Sequence, residues 1–362
     1  MVWLAGSAIR VVAGVELPPR GIAAAFRLFG ARSAASQVLL LGRTVCSPSP
    51  AMRRLRRRAV RALDDYRAIL RQAPHLHQLM KLDFTILLGL YRDAVGVSRD
   101  QALEAGLVET YCHLSALVDA YDDLLDTREA RAGSLTRDDF MAGRTGQLRC
   151  CLVSWFEQLS ARRPRASVLV RDLEAFESRA LEAHQNLDIG TGLEAPIEAV
   201  VRARAATSGL LLRFAAHLWS VLLDLPLPLA KRSEDAAATF GLVAQFADDV
   251  VDWTCDDGIA QNLLGAALRA HPDELRSARA AAERRPGWSL STKTLQRVAP
   301  RSLAMLAAVR RRAAVYPPDC RFDGLRQFGD DVYLTLLPAL PSLNFDEFDD
   351  IRAEVQEVLA TW

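Results

Sequence analysis

The sequence has little that would suit a disulfide-bonded, zinc-binding, nucleic-acid-binding or secreted protein. Its six cysteines, Cys46, Cys112, Cys150, Cys151, Cys255 and Cys320, include no Cys-x-x-Cys pair. The adjacent Cys150 and Cys151 are poorly placed to bridge each other, so free thiols in a reducing cytoplasm are expected. Histidines are few, and His75 with His77 lacks the ligand spacing of a zinc site. Lys+Arg 45 nearly balances Asp+Glu 44, for a net charge of +1. That balance argues against a nucleic-acid partner and against an acidic tail. Lysine itself is scarce, limited to Lys81, Lys231 and Lys293. Arginine supplies the remaining positive charge, and with the alanine richness this reflects GC-rich coding more than function. The apolar N-terminus lacks a basic leader and is interrupted by Arg10, Glu16 and Pro18-Pro19. A secretory signal is therefore not expected. A long uncharged apolar run is also lacking, so no spanning helix is expected, and membrane contact would be peripheral at most.

What is present is a large, helix-patterned chain. Of its 362 residues, 50% are hydrophobic and 25% charged, enough to build a sizeable core. Residues 1–50 read as an extension ending in the breaker Cys46-Ser-Pro-Ser-Pro50, and residues 51–362 as one helical domain. Apolar residues recur at i, i+3 and i+4 between stop signals at Gly190–Pro196, Pro226/Pro228, His271-Pro272, Pro286-Gly287, Pro317-Pro318 and Pro338/Pro341. Alternating strand patterns, glycine-rich phosphate loops and G-x-S-x-G elbows are missing, and the expected class is all-α, a single large bundle. The arginine run from Met52 to Ala59 reads as a solvated helix face, or as a contact for anionic lipid or a partner.

Two short acidic segments carry the chemistry. The first is Asp119-Ala-Tyr-Asp122-Asp123-Leu-Leu-Asp126. On a helix, its four carboxylates fall within an arc of about 100°. The second, Gln245-Phe-Ala-Asp248-Asp249-Val-Val-Asp252, repeats the spacing inside an apolar stretch. Carboxylates so close repel, mildly when exposed and strongly when desolvated. A hard divalent cation offsets that repulsion, and magnesium characteristically combines one or two carboxylates with water and substrate phosphates. Asp346–Asp350 and the Asp330-Asp331 pair, by contrast, read as surface acids.

With these residues the chain resembles the class I isoprenoid synthase superfamily, and most closely the trans-isoprenyl diphosphate synthases, over roughly residues 80–265. Asp122-Asp123-Leu-Leu-Asp126 is similar to the first aspartate-rich motif of that family. Gly241-Leu-Val-Ala-Gln245-Phe-Ala-Asp248-Asp249-Val-Val-Asp252 is similar to the second. Gln185-Asn-Leu-Asp188-Ile189 resembles its Gln-x-Leu-Asp-Leu segment, and Ala206-Thr207 falls where a Lys-Thr pair stands in the family.

The resemblance implies a helical bundle and three Mg²⁺ bound with a diphosphate. Asp122, Asp126 and Asp248 would be the direct ligands, and Asp123, Asp249 and Asp252 further ligands or supports. Gln185, Asp188, Arg204, Thr207 and Gln245 would face the diphosphate, with Arg128 and Arg131 as further donors to it and Lys81 as a further substrate-binding residue. A homodimer is implied as well.

Departures from the family concern a second diphosphate, that of isopentenyl diphosphate. Lys81 has no neighbouring arginine, Arg128 and Arg131 are separated, and the lysine expected before Thr207 is Ala206. An anion leaving water needs several charged donors, and one allylic diphosphate suits this sequence better than two substrates. The expected activity is therefore a class I terpene synthase. It would ionise an allylic prenyl diphosphate of fifteen or more carbons and release a hydrocarbon or alcohol. Leu114, Leu117, Val118, Tyr121, Phe214 and Trp219 would line the apolar pocket. The alternatives are a trans-prenyltransferase using Lys81, Arg92, Arg128 and Arg131 for isopentenyl diphosphate, a head-to-head synthase, and a non-catalytic homologue.

Overall fold

A computed structural model describes residues 50–80, 82–129, 136–190, 195–253, 262–284, 292–336, 348 and 351–360. Every regular element among them is helical. The order is α1 (Pro50–Gln72), α2 (Leu82–Val95), α3 (Arg99–Glu104), α4 (Leu107–Glu129), α5 (Arg137–Met141), α6 (Gly143–Ser160), α7 (Leu169–Gly190) and α8 (Ile197–Arg204). A π turn (Ala205–Gly209) leads into α9 (Leu210–Leu222) and then α10 (Leu227–Asp252). The chain continues through α11 (Leu263–Arg269), α12 (Pro272–Glu283), α13 (Thr292–Val298), α14 (Pro300–Ala313), α15 (Asp323–Leu336) and α16 (Ile351–Ala360). The all-α class expected from the sequence is thus the observed one. The proposed N-terminal extension lies outside the described residues, apart from Pro50.

Helix ends follow local chemistry. Ser98 starts α3 with a reciprocal cap: its hydroxyl accepts the Gln101 N–H, and the Gln101 side chain accepts the Ser98 N–H. Gly106, at φ +76°, turns the chain from α3 into α4, a backbone conformation costly for any residue with a Cβ. Prolines lead α10, α12 and α14, where a missing N–H costs no intrahelical bond.

The longest described helix, α10, has almost no wet face in its middle. Ala236, Ala238, Phe240, Leu242, Val243, Phe246 and Ala247 are all buried, the pattern of a helix surrounded by others. It packs against α9, α11, α15 and the π turn. Helix α4 packs against α6 and α9, with Leu107, Leu114 and Leu117 fully buried. Between these layers, Phe176 of α7 stacks on Phe214 of α9 with centroids 4.5 Å apart. Trp219 meets Tyr91 and Tyr111 edge-on at 4.1 and 4.9 Å. The six residues expected to line an apolar pocket are all buried in this continuous core.

One expectation needs correction. Asp331 is not a surface acid. It is fully buried, with Arg54 of α1 donating from Nε to both of its oxygens at 3.0 Å and from Nη2 at 2.5 Å. Arg58 adds a bond of 3.4 Å. Its neighbour Asp330 pairs with Arg310 at 2.6 Å. The arginine run is consequently divided: one face clamps α1 to α15, and the other faces solvent.

Residues Ile197–Leu222, the rod formed by α8, the π turn and α9, reach a mean hydropathy of 1.2 in their most apolar window, long enough by composition to cross a bilayer. In the fold 61% of that window is buried inside the bundle, as in the core helix of a globular protein. Cys112, Cys150, Cys151 and Cys320 are free thiols, and burial pushes Cys112 up to about 12.

The helices around α9 are also tied by a charged clamp. His217 lies between Asp172 of α7 (Nε2 at 3.0 Å) and Glu234 of α10 (Nδ1 at 3.1 Å). Burial alone would lower the imidazole pKa, but hydrogen bonds and attraction from the two carboxylates together outweigh it, and the pKa is raised above 6.5. A histidine with a raised folded pKa stabilises fully below its unfolded pKa, and that contribution is lost as pH rises through the folded value. Urea midpoints measured across that range should therefore fall more steeply for the native protein than for His217→Gln. Parallel curves would mean that the clamp carries no proton on folding.

Candidate functional site

The second aspartate segment ends α10, and the structure gives its two described carboxylates different environments. Asp249 is 1% exposed and surrounded by donors. Its Oδ1 accepts from Gln245 Nε2 at 2.6 Å and from Arg204 Nη2 at 3.1 Å. Its Oδ2 accepts the backbone N–H of Leu263 at 2.7 Å. Asn262 donates to the Asp249 carbonyl at 3.0 Å, while its own Oδ1 caps α11 by accepting the Gly265 N–H at 2.8 Å. One carboxylate therefore joins α8, α10 and the start of α11. Buried and bonded on both oxygens, it is a poor candidate to bind a metal directly. Asp248, one position earlier, is only half-buried, and the Gln245 Nε2 reaches its Oδ2 over a longer 3.4 Å.

Gln245 is held from the other side. Ser208, in the π turn, donates to its Oε1 at 2.7 Å, which orients the amide so that its NH₂ points to the aspartates. The π turn spans the segment where the sequence resembles the Lys-Thr motif. Such turns commonly mark functional positions in helices. Thr207 donates its hydroxyl proton to the Ala203 carbonyl at 3.1 Å, a bond one turn back that opens the helix locally. Gly241 makes the approach possible, because a Cβ there would collide with the Ser208 carbonyl oxygen and lie 3.3 Å from the Gly209 Cα. Helix α7, which carries Gln185 and Asp188, packs against the same π turn.

Of the remaining site residues, Asp122, Asp123, Asp126 and Arg128 belong to α4 and Asp252 to α10, but their side chains lie outside the described residues. The same holds for the side chains of Gln185 and Asp188, and Lys81 and Arg131 lie wholly outside them. Among the described residues no group of three His, Cys, Asp or Glu side chains is placed to hold a metal ion.

The helix carrying the first segment is held to α6 and α7 by a buried network. Tyr121 donates its hydroxyl proton to Glu177 of α7 at 2.7 Å, and Arg149 of α6 donates from Nε to both oxygens of Glu177 at 2.9 Å. Phe140 packs edge-on against the Tyr121 ring at 4.6 Å. Burial, then the adjacent Glu177 carboxylate, pushes the Tyr121 phenol far above its ordinary pKa. Its hydroxyl is committed to Glu177, a polar role that the expectation of an apolar pocket wall did not include.

Sequence reasoning missed Asn262, the Leu263 N–H and the commitment of Arg204 to Asp249. Only Asn262 left a sign, as a cap residue ahead of an apolar helix. Arg92, considered for a second diphosphate, is paired with Asp65 at 3.1 Å. Comparisons with models of protein families, with curated proteins and with solved structures return no match.

Proposed function

We propose that the protein is a magnesium-dependent class I terpene synthase that ionises one allylic prenyl diphosphate of fifteen or more carbons. The observation that carries this reading is the division of labour at the end of α10. Asp249 is saturated and anchors the site, while the adjacent Asp248 remains half-buried beside an oriented Gln245.

A half-exposed carboxylate next to a pre-aimed amide suits a hydrated divalent cation, and a carboxylate bonded on both oxygens does not. In this reading Asp248, Asp122 and Asp126 would hold Mg²⁺, with Asp123 and Asp252 as further acids of the two segments. The metal would supply Lewis-acid stabilisation of the departing diphosphate. Gln245, fixed by Ser208, keeps its amide directed at Asp248 and Asp249. The Tyr121–Glu177–Arg149 network holds the helix of the first segment still while charge develops. The apolar residues of α4 and α9 exclude water from a cationic hydrocarbon. The separated arginines and the Arg92–Asp65 pair favour a single diphosphate over two.

The test is a product assay with Mg²⁺. The protein would be given geranyl, farnesyl, geranylgeranyl or farnesylgeranyl diphosphate, each with and without isopentenyl diphosphate. A hydrocarbon or alcohol formed without isopentenyl diphosphate, and lost in Asp122→Ala, in Asp248→Ala and on chelation, is the expected result. A longer prenyl diphosphate formed only from both substrates would replace this reading with a prenyltransferase. Full activity in either aspartate variant would refute the site.

A further inference from the structure

The solvent-facing side of α1 carries a charge that nothing else in the described structure balances. Arg53, Arg57, Arg61, Arg67 and Arg71 are exposed, with Asp64 the single acid among them. At 100° per residue these positions and Val60 fall within an arc of about 120° and extend about 27 Å along the helix. None of the five arginines forms an ion pair with a described residue, unlike Arg54 and Arg58 on the adjacent flank. Three like-charged pairs, Arg53/Arg57, Arg57/Arg61 and Arg67/Arg71, stand one turn apart, a spacing at which equal charges repel. A chain with a net charge of only +1 therefore concentrates uncompensated positive charge on one helix face.

An extended polyanion would complement that face. Two observations favour a lipid surface over nucleic acid. Val60, 48% exposed, places an aliphatic side chain in the middle of the arginines. The described exposed side chains of α1 also include no aromatic residue on which a base could stack. The opposite face of α1 is packed into the bundle through Leu55, Ala59, Leu63 and Ile69, so the helix can lie on a surface without inserting.

We infer that the Arg53–Arg71 face of α1 docks the protein reversibly on a bilayer containing anionic lipid. Each arginine brought to such a surface contributes enough to change partitioning about fivefold, so three together amount to about 100-fold. The attraction should fall as salt screens it.

Flotation of the full chain with vesicles tests this. The vesicles would be phosphatidylcholine alone or phosphatidylcholine with phosphatidylglycerol. Three proteins would be compared: the native chain, the combined variant Arg53→Gln, Arg57→Gln, Arg61→Gln, and a charge-matched control, Arg162→Gln, Arg284→Gln, Arg297→Gln, made at exposed arginines elsewhere. Circular dichroism would establish that all three are folded. The expected result is salt-sensitive binding to the anionic vesicles only, weakened about 100-fold in the α1 variant and retained in the control. Absence of binding by the native chain, or equal loss in the control, would overturn the inference. So would a DNA duplex that strips the protein from vesicles at equal phosphate concentration. None of these outcomes depends on catalytic activity, so the inference stands or falls separately from the proposed reaction.

Discussion

Asp249→Ala is expected to destabilise the protein by about 3–5 kcal/mol, the cost of breaking a buried ion pair by removing one member. Arg204, 17% exposed at its side chain, would lose the carboxylate it pairs with. Gln245 and the Leu263 N–H would each lose an acceptor. Asp249→Asn should be milder, because one amide oxygen can still accept from part of this set, although its NH₂ would face donors. A cycle with Arg204→Ala should return a strong coupling between the two sites, since part of the loss in each single variant is the same bond. Urea denaturation of the metal-free protein measures all four. Asp248→Ala provides the contrast: at a half-buried position its effect on stability should be small, about 0.5 kcal/mol. If instead Asp248→Ala unfolds the protein and Asp249→Ala leaves it intact, the roles assigned to the two acids are reversed.

The second large effect is expected at Gly241. A valine there would drive its Cβ into the Ser208 carbonyl, and because the obstruction is backbone no side chain can swing aside. The expected loss is about 3 kcal/mol, at the upper end of what overpacking costs. Even Gly241→Ala, favourable by helix propensity alone by about 1 kcal/mol, should destabilise. The Ser208–Gln245 bond should suffer with it, so in a catalytically active preparation Gly241→Ala should impair turnover more than its loss of stability explains. A Gly241→Ala protein as stable as the native one, judged by its denaturation midpoint, would mean that the two segments do not meet as described.

Much of the scaffold was readable along the chain because it is set by neighbours in sequence. The glycine and proline stops at Gly190–Pro196, Pro226 and Pro272 coincide with the ends and starts of α7, α8, α10 and α12. The apolar setting of the second aspartate segment was readable for the same reason. What was not readable depends on partners far away. Asp331 is indistinguishable in sequence from its half-buried neighbour Asp330; Arg54 and Arg58, which bury it, come from the other end of the described chain. Asp249 likewise differs from Asp248 through Arg204 and a backbone N–H of α11, which no spacing rule brings together. The π turn left no mark either, since Ala-Ala-Thr-Ser-Gly has no composition that an α-helix would refuse.

That π turn has a geometric effect beyond bringing Ser208 to Gln245. A π turn holds about one residue more than an α turn, so α9 is rotated by roughly 100° from the phase that an uninterrupted α8 would have given it. The rod thus works as two gears offset by one tooth. In α8 the inward positions are Ile197, Val200, Val201 and Ala203, and in α9 they include Phe214 and Leu218. The offset sets which way Phe214 and His217 point, and hence whether one can stack on Phe176 and the other reach both Asp172 and Glu234. Deleting one residue between Ala205 and Gly209 would leave the composition nearly unchanged. It would still turn the whole of α9 away from its partners, so the length of this turn matters more to the bundle than the identity of its alanines.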